Sequence, residues 1–228
     1  MSNTSKESII DVLRQKVILK QQVYEKTKNV FNSLRGLLSQ LSSELAVKVK
    51  DFSGEMVIAY KDNGEFEAEF TIADETLLFV IHSNIFTFDS THSVWKSSYV
   101  QEDKDRAYCG KIFIYNFLSD SFKYNRINDL GYLIGRIFVN KDNHFFVEGM
   151  KQIGNLYNDF STLEVTDKAL YEIIEAAVLY SMEFDPFTPP FEQQGEIRVG
   201  EVIDASLQSR ITTGKRLGFK FKTEGNIT

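Results

Sequence analysis

Apolar residues in the first 45 positions recur three and four residues apart, which is the spacing of an amphipathic helix. The pattern predicts one helix of about 40 residues, or two helices broken near Asn32 or Gly36. Unbroken, the helix would span about 60 Å at 1.5 Å per residue, which exceeds the expected width of the remaining globule. The apolar seam contains the following positions, all but Lys20 and Thr27 apolar: Ile10, Leu13, Val17, Lys20, Tyr24, Thr27, Phe31, Leu34, Leu38, Leu41 and Leu45.

Two interpretations of this seam follow. In the first, part of the seam is covered by another chain, and the predicted oligomer interface consists of Leu13, Val17, Tyr24, Phe31, Leu34 and Leu38. In the second, the helix bends and packs wholly on its own sheet. The length of the pattern favours the first interpretation, and a homodimer is the first expectation.

From residue 46 the apolar period changes to two, which is typical of strands. Asn63-Gly64 predicts a hairpin turn in which both residues have positive φ. Seven or eight short strands joined mostly by tight turns predict an antiparallel meander, because tight turns cannot join parallel strands. A strongly twisted meander of this kind would curl into a partial barrel. The expected strands lie in residues 46–52, 56–62, 65–72, 76–88, 111–118, 121–127, 132–139 and 144–149.

A second helix is expected after Thr166, a residue suited to cap a helix, and before Asp185-Pro186. All three prolines lie in residues 185–195, which marks a linker, and a strand-bearing basic tail follows. The predicted fold is therefore α+β. Its parts are a heptad helix over 1–45, a core domain over 46–185, and a linker with the basic tail over 186–228.

Composition indicates a globular protein: of 228 residues, 43% are hydrophobic and 25% are charged. No apolar run resembles a signal peptide or a membrane span, and Cys109 is the single cysteine, so the cytoplasm is the expected location. Residues 1–50 carry 9 basic and 4 acidic side chains, residues 51–204 carry 12 and 27, and residues 205–228 carry 5 and 1. Basic ends beside an acidic middle favour self-association or a protein partner over nucleic acid.

The candidate chemistry centres on His82 and His92, which are ten residues apart, with His144 as a third imidazole. Their spacing places no pair on one helix face, so a metal site is not favoured. Glu65, Glu67 and Glu69 alternate with apolar residues, which is typical of a solvated strand face. Cys109 has no base nearby in sequence and is expected to be a buried thiol. No motif indicates a cofactor, and none is expected.

Three functions remain open. A cytoplasmic, non-catalytic interaction or regulatory protein that self-associates through its N-terminal helix is favoured. The alternative is a small-molecule binding domain whose apolar pocket in the curved sheet is lined by Trp95, Tyr99, Tyr115, Tyr124 and Tyr132. The third is an enzyme that uses histidine and acidic residues of the sheet and of the loop over 89–106. That loop is too long for a tight turn, which raises the question of what it covers.

Overall fold

The structure, a computed structural model, describes residues 2–50 and 56–183 and the single residues Asp185 and Val199. Its N-terminal helix begins as α1 (Ser2–Val12), passes through a π-helical turn (Leu13–Val17) and continues as α2 (Ile18–Lys48). The helix therefore continues past Gly36. The linker and the basic tail that the sequence predicts after residue 185 lie outside the described residues, apart from Val199.

One antiparallel sheet follows, with its six strands in chain order from edge to edge. The strands are β1 (Ile58–Asp62), β2 (Glu67–Ile72), β3 (Glu75–Ile81), β4 (Cys109–Leu118), β5 (Tyr132–Asn140) and β6 (Phe145–Gly149). The predicted α+β class and antiparallel meander are confirmed. The predicted number of strands, seven or eight, is too high for the described residues. In that part of the chain β1 and β6 do not pair with each other, so the meander is open, and the free edge of β6 instead bonds to the carbonyls of Tyr157 and Leu163.

Two of the predicted strands are helical instead. Residues 46–48 extend α2, and the backbone N–H of Val49 donates to the carbonyl of Leu45. Residues 119–123 form the short helix α4 (Ser119–Lys123). Alternation of apolar and polar residues over so few positions fits a helix end as well as a strand.

The hairpin between β1 and β2 also differs from its prediction. Gly64 has a φ of 102°, but Asn63 is not among the residues with positive φ. The loop spans residues 63–66, and the Asp62 carboxylate accepts a hydrogen bond from the Gly64 N–H at 2.9 Å. A side chain thus supplies part of the turn that two left-handed residues were expected to make.

One face of the sheet, the inner face, packs against α2 and α5 (Asp167–Met182). The Thr166 hydroxyl accepts a hydrogen bond from the Ala169 N–H at 3.2 Å, which confirms the predicted cap. The shared core includes Phe31 and Leu34 of α2, Phe70 and Phe79 of the sheet, and Ile173 of α5, all fully buried. Helix α2 is therefore part of the same packed unit as the sheet.

The opposite face, the outer face, is covered at one end by residues 82–108. This covering segment contains two 3₁₀ turns (Ser93–Lys96 and Lys104–Ala107) and helix α3 (Ser98–Glu102). It packs Val94, Val100 and Ala107 over Phe138 and Phe146. A second, smaller core thus forms on the outer face.

At the other end of that face Phe122 of α4 meets Phe117 edge-on, and Leu78 borders the cleft that these two rings line. The part of the face between these two covered ends stays in contact with solvent.

Candidate functional site

The N-terminal helix leaves the globule with its apolar side chains exposed. Every side chain from Lys6 to Ile18 is exposed, and Leu19 is the first buried residue among the side chains that the structure describes. Leu13 is 52% exposed and Val17 is 42% exposed. Large apolar side chains at neighbouring positions of one helix are unusual on the surface of a monomer. This segment is therefore a candidate interaction surface.

The six residues of the predicted oligomer interface fall into two groups. Phe31, Leu34 and Leu38 are fully buried in the core of their own chain, which leaves them no surface for a partner. For these three residues the expectation is corrected, because the face of α2 that packs on the sheet includes them. Leu13 and Val17 project beyond the sheet, and Tyr24 is half-buried. The predicted interface is thereby reduced to its N-terminal members.

A cleft of about 400 Å³ continues the exposed stripe toward the sheet. Val17, Lys20 and Tyr24 form one wall, and Ser83 and Ile85 belong to the other. The buried face of α2 at this level instead consists of Leu19, Val23 and Thr27. The seam and the buried face therefore meet at Thr27 and diverge toward the N-terminus, where the seam borders solvent.

A second apolar surface lies on the outer face of the sheet. Pairing aligns Glu69, Leu78, Tyr115 and Leu133 in one row across four strands. The next row contains Glu67, Val80, Phe113, Arg136 and Glu148. We call Leu78, Val80, Phe113, Tyr115 and Leu133 the outer patch. Leu133 is 39% exposed, and the other four are half-buried.

The loop over 89–106 covers aromatic residues, which answers the question that its length raises. Rings of Phe138 and Phe146 stack 4.7 Å apart beneath it, and Phe88 contacts both rings. The Trp95 indole N–H donates to the carbonyls of Phe88 and Asp89 at 3.2 and 3.0 Å. These contacts give the covering segment a packing role on the outer face.

A polar network holds the covering segment to the turn between β5 and β6. The Arg106 guanidinium lies 4.2 Å from the centre of the Tyr99 ring, and its Nε donates to Asp142 at 3.0 Å. The Tyr99 hydroxyl donates to Asp142 at 2.9 Å and accepts from Asn140 at 3.0 Å. Burial is the main cause that raises the pKa of Tyr99 to about 12.

The three histidines have separate structural roles. The His82 Nδ1 accepts a hydrogen bond from the Asn84 N–H at 3.0 Å, and its ring meets Phe86 edge-on. The His92 Nδ1 accepts from the Val94 N–H at 3.2 Å and caps a 3₁₀ turn. The His144 ring stacks on Tyr99. Within the described residues, no three His, Cys, Asp or Glu side chains form a group that could hold a metal ion.

The remaining candidates for chemistry are engaged in ordinary contacts. Glu65 pairs with Lys28 at 2.7 Å, and the Asn63 amide donates to Glu67 and Glu69 at 2.6 and 3.1 Å. Cys109 is fully buried, which raises the pKa of its thiol. Asp103 pairs with Lys141 at 2.5 Å, and this hydrogen bond is the main cause that lowers the pKa of its carboxyl.

The five aromatic residues predicted to line a pocket lie in different places. Trp95 and Tyr99 pack at the edge of the smaller core on the outer face, and Tyr115 lies in the outer patch. Tyr132 packs against the core on the inner face. Tyr124 follows helix α4, and the cationic groups of Lys123 and Arg126 lie near its ring. Strand pairing aligns Tyr132 with Asn116, the neighbour of Tyr115, so these two tyrosines point to opposite faces.

Sequence reasoning missed the outer patch as a unit, although a signal was present. The strand segments "TLLFVI" and "KIFIYNFL" are apolar on both faces. In an antiparallel sheet, a solvated face normally shows polar residues at alternate positions. Apolar residues on both faces indicate that both faces are covered. The pairing of strands was needed to show that these positions meet in one patch.

Comparison of this chain with protein-family models, with curated proteins and with solved structures found no match. In the part of the chain that the structure describes, no helix is both long and apolar enough to cross a membrane.

Proposed function

We propose that this protein is a cytoplasmic, non-catalytic interaction or regulatory protein that self-associates through its N-terminal helix. The observation that carries the proposal is the exposed apolar stripe of Ile9, Ile10, Leu13 and Val17 beyond the point where the helix packs on its sheet. Short helical segments without tertiary contacts are marginal in water. A second chain along the stripe would stabilise the projecting turns.

A second copy of this chain is the occupant that fits the stripe best. Two copies that pair along it would form a small interface, near the lower size limit for a specific dimer. The cleft that Val17 and Tyr24 border continues the stripe and adds area. The basic N-terminal 50 residues also complement the acidic middle of a second copy. Area and charge together favour a homodimer.

Measurement of mass in solution tests this proposal. Sedimentation equilibrium of the full chain should give a dimer at micromolar concentration. The double variant Leu13→Glu and Val17→Glu should raise the dissociation constant at least a hundredfold, because two apolar contacts become buried charges.

The matched control is Gln15→Glu with Gln22→Glu, which adds the same charge at exposed polar positions on the other side of the helix. This control should dimerise like the unmodified protein. A monomer of the unmodified chain at 100 µM, or equal weakening in both double variants, would contradict the proposal.

A further inference from the structure

The outer patch is a half-covered surface with a defined border. Phe138 and Phe146, the next row of the same face, are covered by residues 82–108 and are 4% and 7% exposed. The patch itself lies open beside them. Strands β3 and β4 are apolar on both faces, and the half-buried Leu78 and Phe113 contribute only part of the stability that their full burial would give.

The border of the patch is acidic along β2. Glu67 is aligned with Val80, and Glu69 is aligned with Leu78. Lys61 pairs with Glu69 at 3.5 Å, whereas Glu67 accepts a hydrogen bond from the neutral Asn63 amide at 2.6 Å. A segment that carries large apolar side chains and several cations therefore matches this surface in both respects.

The chain leaves the described fold close to this patch. Glu183, at the end of α5, pairs with Lys151 at 3.1 Å. The neighbouring Met150 donates its N–H to the carbonyl of Ile134 at 2.9 Å, one residue from Leu133. The end of α5 thus lies at the end of the sheet where the patch reaches β5.

The sequence beyond Glu183 contains one segment with the required composition. Residues 215–222 supply three large apolar side chains, Leu217, Phe219 and Phe221. The same eight residues supply Lys215, Arg216, Lys220 and Lys222 and contain no acidic residue. About 30 residues separate this segment from Glu183, and an extended chain of that length reaches about 100 Å, so distance does not limit contact.

We propose that residues 215–222 bind the outer patch of their own chain, with Leu217, Phe219 and Phe221 on its apolar residues and the cations beside Glu67 and Glu69. Tethering favours the chain's own segment over that of a second copy. The effective concentration of a tethered segment is set by the length of its tether and lies far above the micromolar concentration of free protein in solution. This proposal does not depend on self-association through the N-terminal helix.

Thiol labelling of the full chain tests the proposal. Leu133→Cys places a reactive thiol in the patch, and the native Cys109 stays silent because it is fully buried. The additional substitutions Phe219→Asp and Phe221→Asp should speed the labelling of Cys at position 133 by Ellman's reagent at least tenfold. Thr212→Asp with Thr213→Asp adds the same charge outside the segment and should leave the rate within twofold.

Two further variants sharpen the result. Glu67→Lys with Glu69→Lys should also speed labelling at position 133, whereas Glu25→Lys with Glu44→Lys, the same charge change on exposed positions of α2, should not. A Val47→Cys probe at the 64% exposed end of α2 should label at one rate in all tail variants. This last probe shows that the reagent is equally reactive in all variants, and the continued silence of the buried Cys109 shows that the fold stays intact.

Two outcomes would overturn the proposal. One is an equal labelling rate at position 133 with the native tail and with Phe219→Asp and Phe221→Asp. The other is protection of position 133 that grows with protein concentration, which would assign the patch to a second copy or to its tail. Protection that is independent of concentration and lost in the Phe219→Asp and Phe221→Asp variant supports binding within one chain.

Discussion

Gly110 lies beneath helix α2 at the point where the helix crosses β4. A Cβ atom at this position would collide with the Thr27 side chain, whose hydroxyl already donates to the carbonyl of Val23 at 2.8 Å. We expect Gly110→Ala to lower the free energy of unfolding by about 1–3 kcal/mol, the usual cost of overpacking a well-filled core. Urea unfolding followed by circular dichroism measures this change.

Gly36 is the matched control for that substitution. Gly36 lies in helix α2 itself, and a Cβ atom there would meet nothing within 4 Å. Gly36→Ala should therefore raise the free energy of unfolding by about 1 kcal/mol, because alanine loses less backbone entropy in a helix. Equal effects of the two substitutions would contradict the close approach of α2 to β4.

Ala73 has a φ of 51° in the turn between β2 and β3, a conformation that costs an L-residue energy. Its N–H donates to the carbonyl of Val57 at 2.8 Å, which fixes the backbone there. Ala73→Gly should raise the free energy of unfolding by about 1 kcal/mol. Asp74→Gly, at the next turn position without positive φ, should give no such gain in the same urea titration.

Residue-level features such as these were only partly open to prediction. The buried thiol of Cys109 and the cap at Thr166 follow from local sequence, and both are observed. The left-handed Ala73 has no local signal, because alanine seldom occupies that conformation. The close contact of Gly110 depends on a helix that is distant in sequence.

Arg106 links the covering segment to the turn between β5 and β6. Arg106 contacts Tyr99, Asp142 and Glu102 through its guanidinium. Arg106→Ala should lower the free energy of unfolding by about 1–2 kcal/mol, because it removes a stacked cation and its hydrogen bonds to the Tyr99 carbonyl and the Asp142 carboxylate. Lys104→Ala, at an exposed position of the same segment, should change it by less than about 0.5 kcal/mol. Equal effects in urea unfolding would argue against this link.

Alkaline pH should loosen the same element. The pKa of Tyr99 is about 12 in the folded protein, against a usual value of 10.0. A raised pKa contributes stability below pH 10, and that stability is lost as the pH rises from 10 toward 12. The midpoint of urea unfolding should fall between pH 9 and pH 11.5 in the native protein. It should fall less in Tyr99→Phe, and an equal fall would refute the assignment.

At the scale of elements, alternation predicted the central strands well. β2 buries Ala68, Phe70 and Ile72 in turn, as its sequence indicates. The prediction failed at residues 46–50 and 121–127, where alternation spans a few residues beside a helix end or a loop, and residues 51–52 lie outside the described part of the chain. The role of residues 89–106 needed the pairing of β4, β5 and β6, because the aromatic residues that they cover lie on other strands.

At the scale of the whole molecule, both candidate surfaces are apolar regions that the described fold leaves open. The heptad pattern indicated a seam, but it did not separate the half that packs on the sheet from the half that projects. Packing against the sheet decided this division, since Phe31 and Leu34 are buried while Leu13 and Val17 are exposed. Sequence period alone carries no information about where the sheet ends.

If the projecting helix pairs with a second copy, stability must depend on protein concentration, because association stabilises the folded state by mass action. The thermal midpoint of the full chain should rise by several degrees between 1 and 100 µM. The Leu13→Glu and Val17→Glu variant should show one midpoint across this range, and the Gln15→Glu and Gln22→Glu control should follow the native protein. Calorimetry measures all three. A native midpoint that is independent of concentration would leave the stripe unpaired in solution and would refute the dimer.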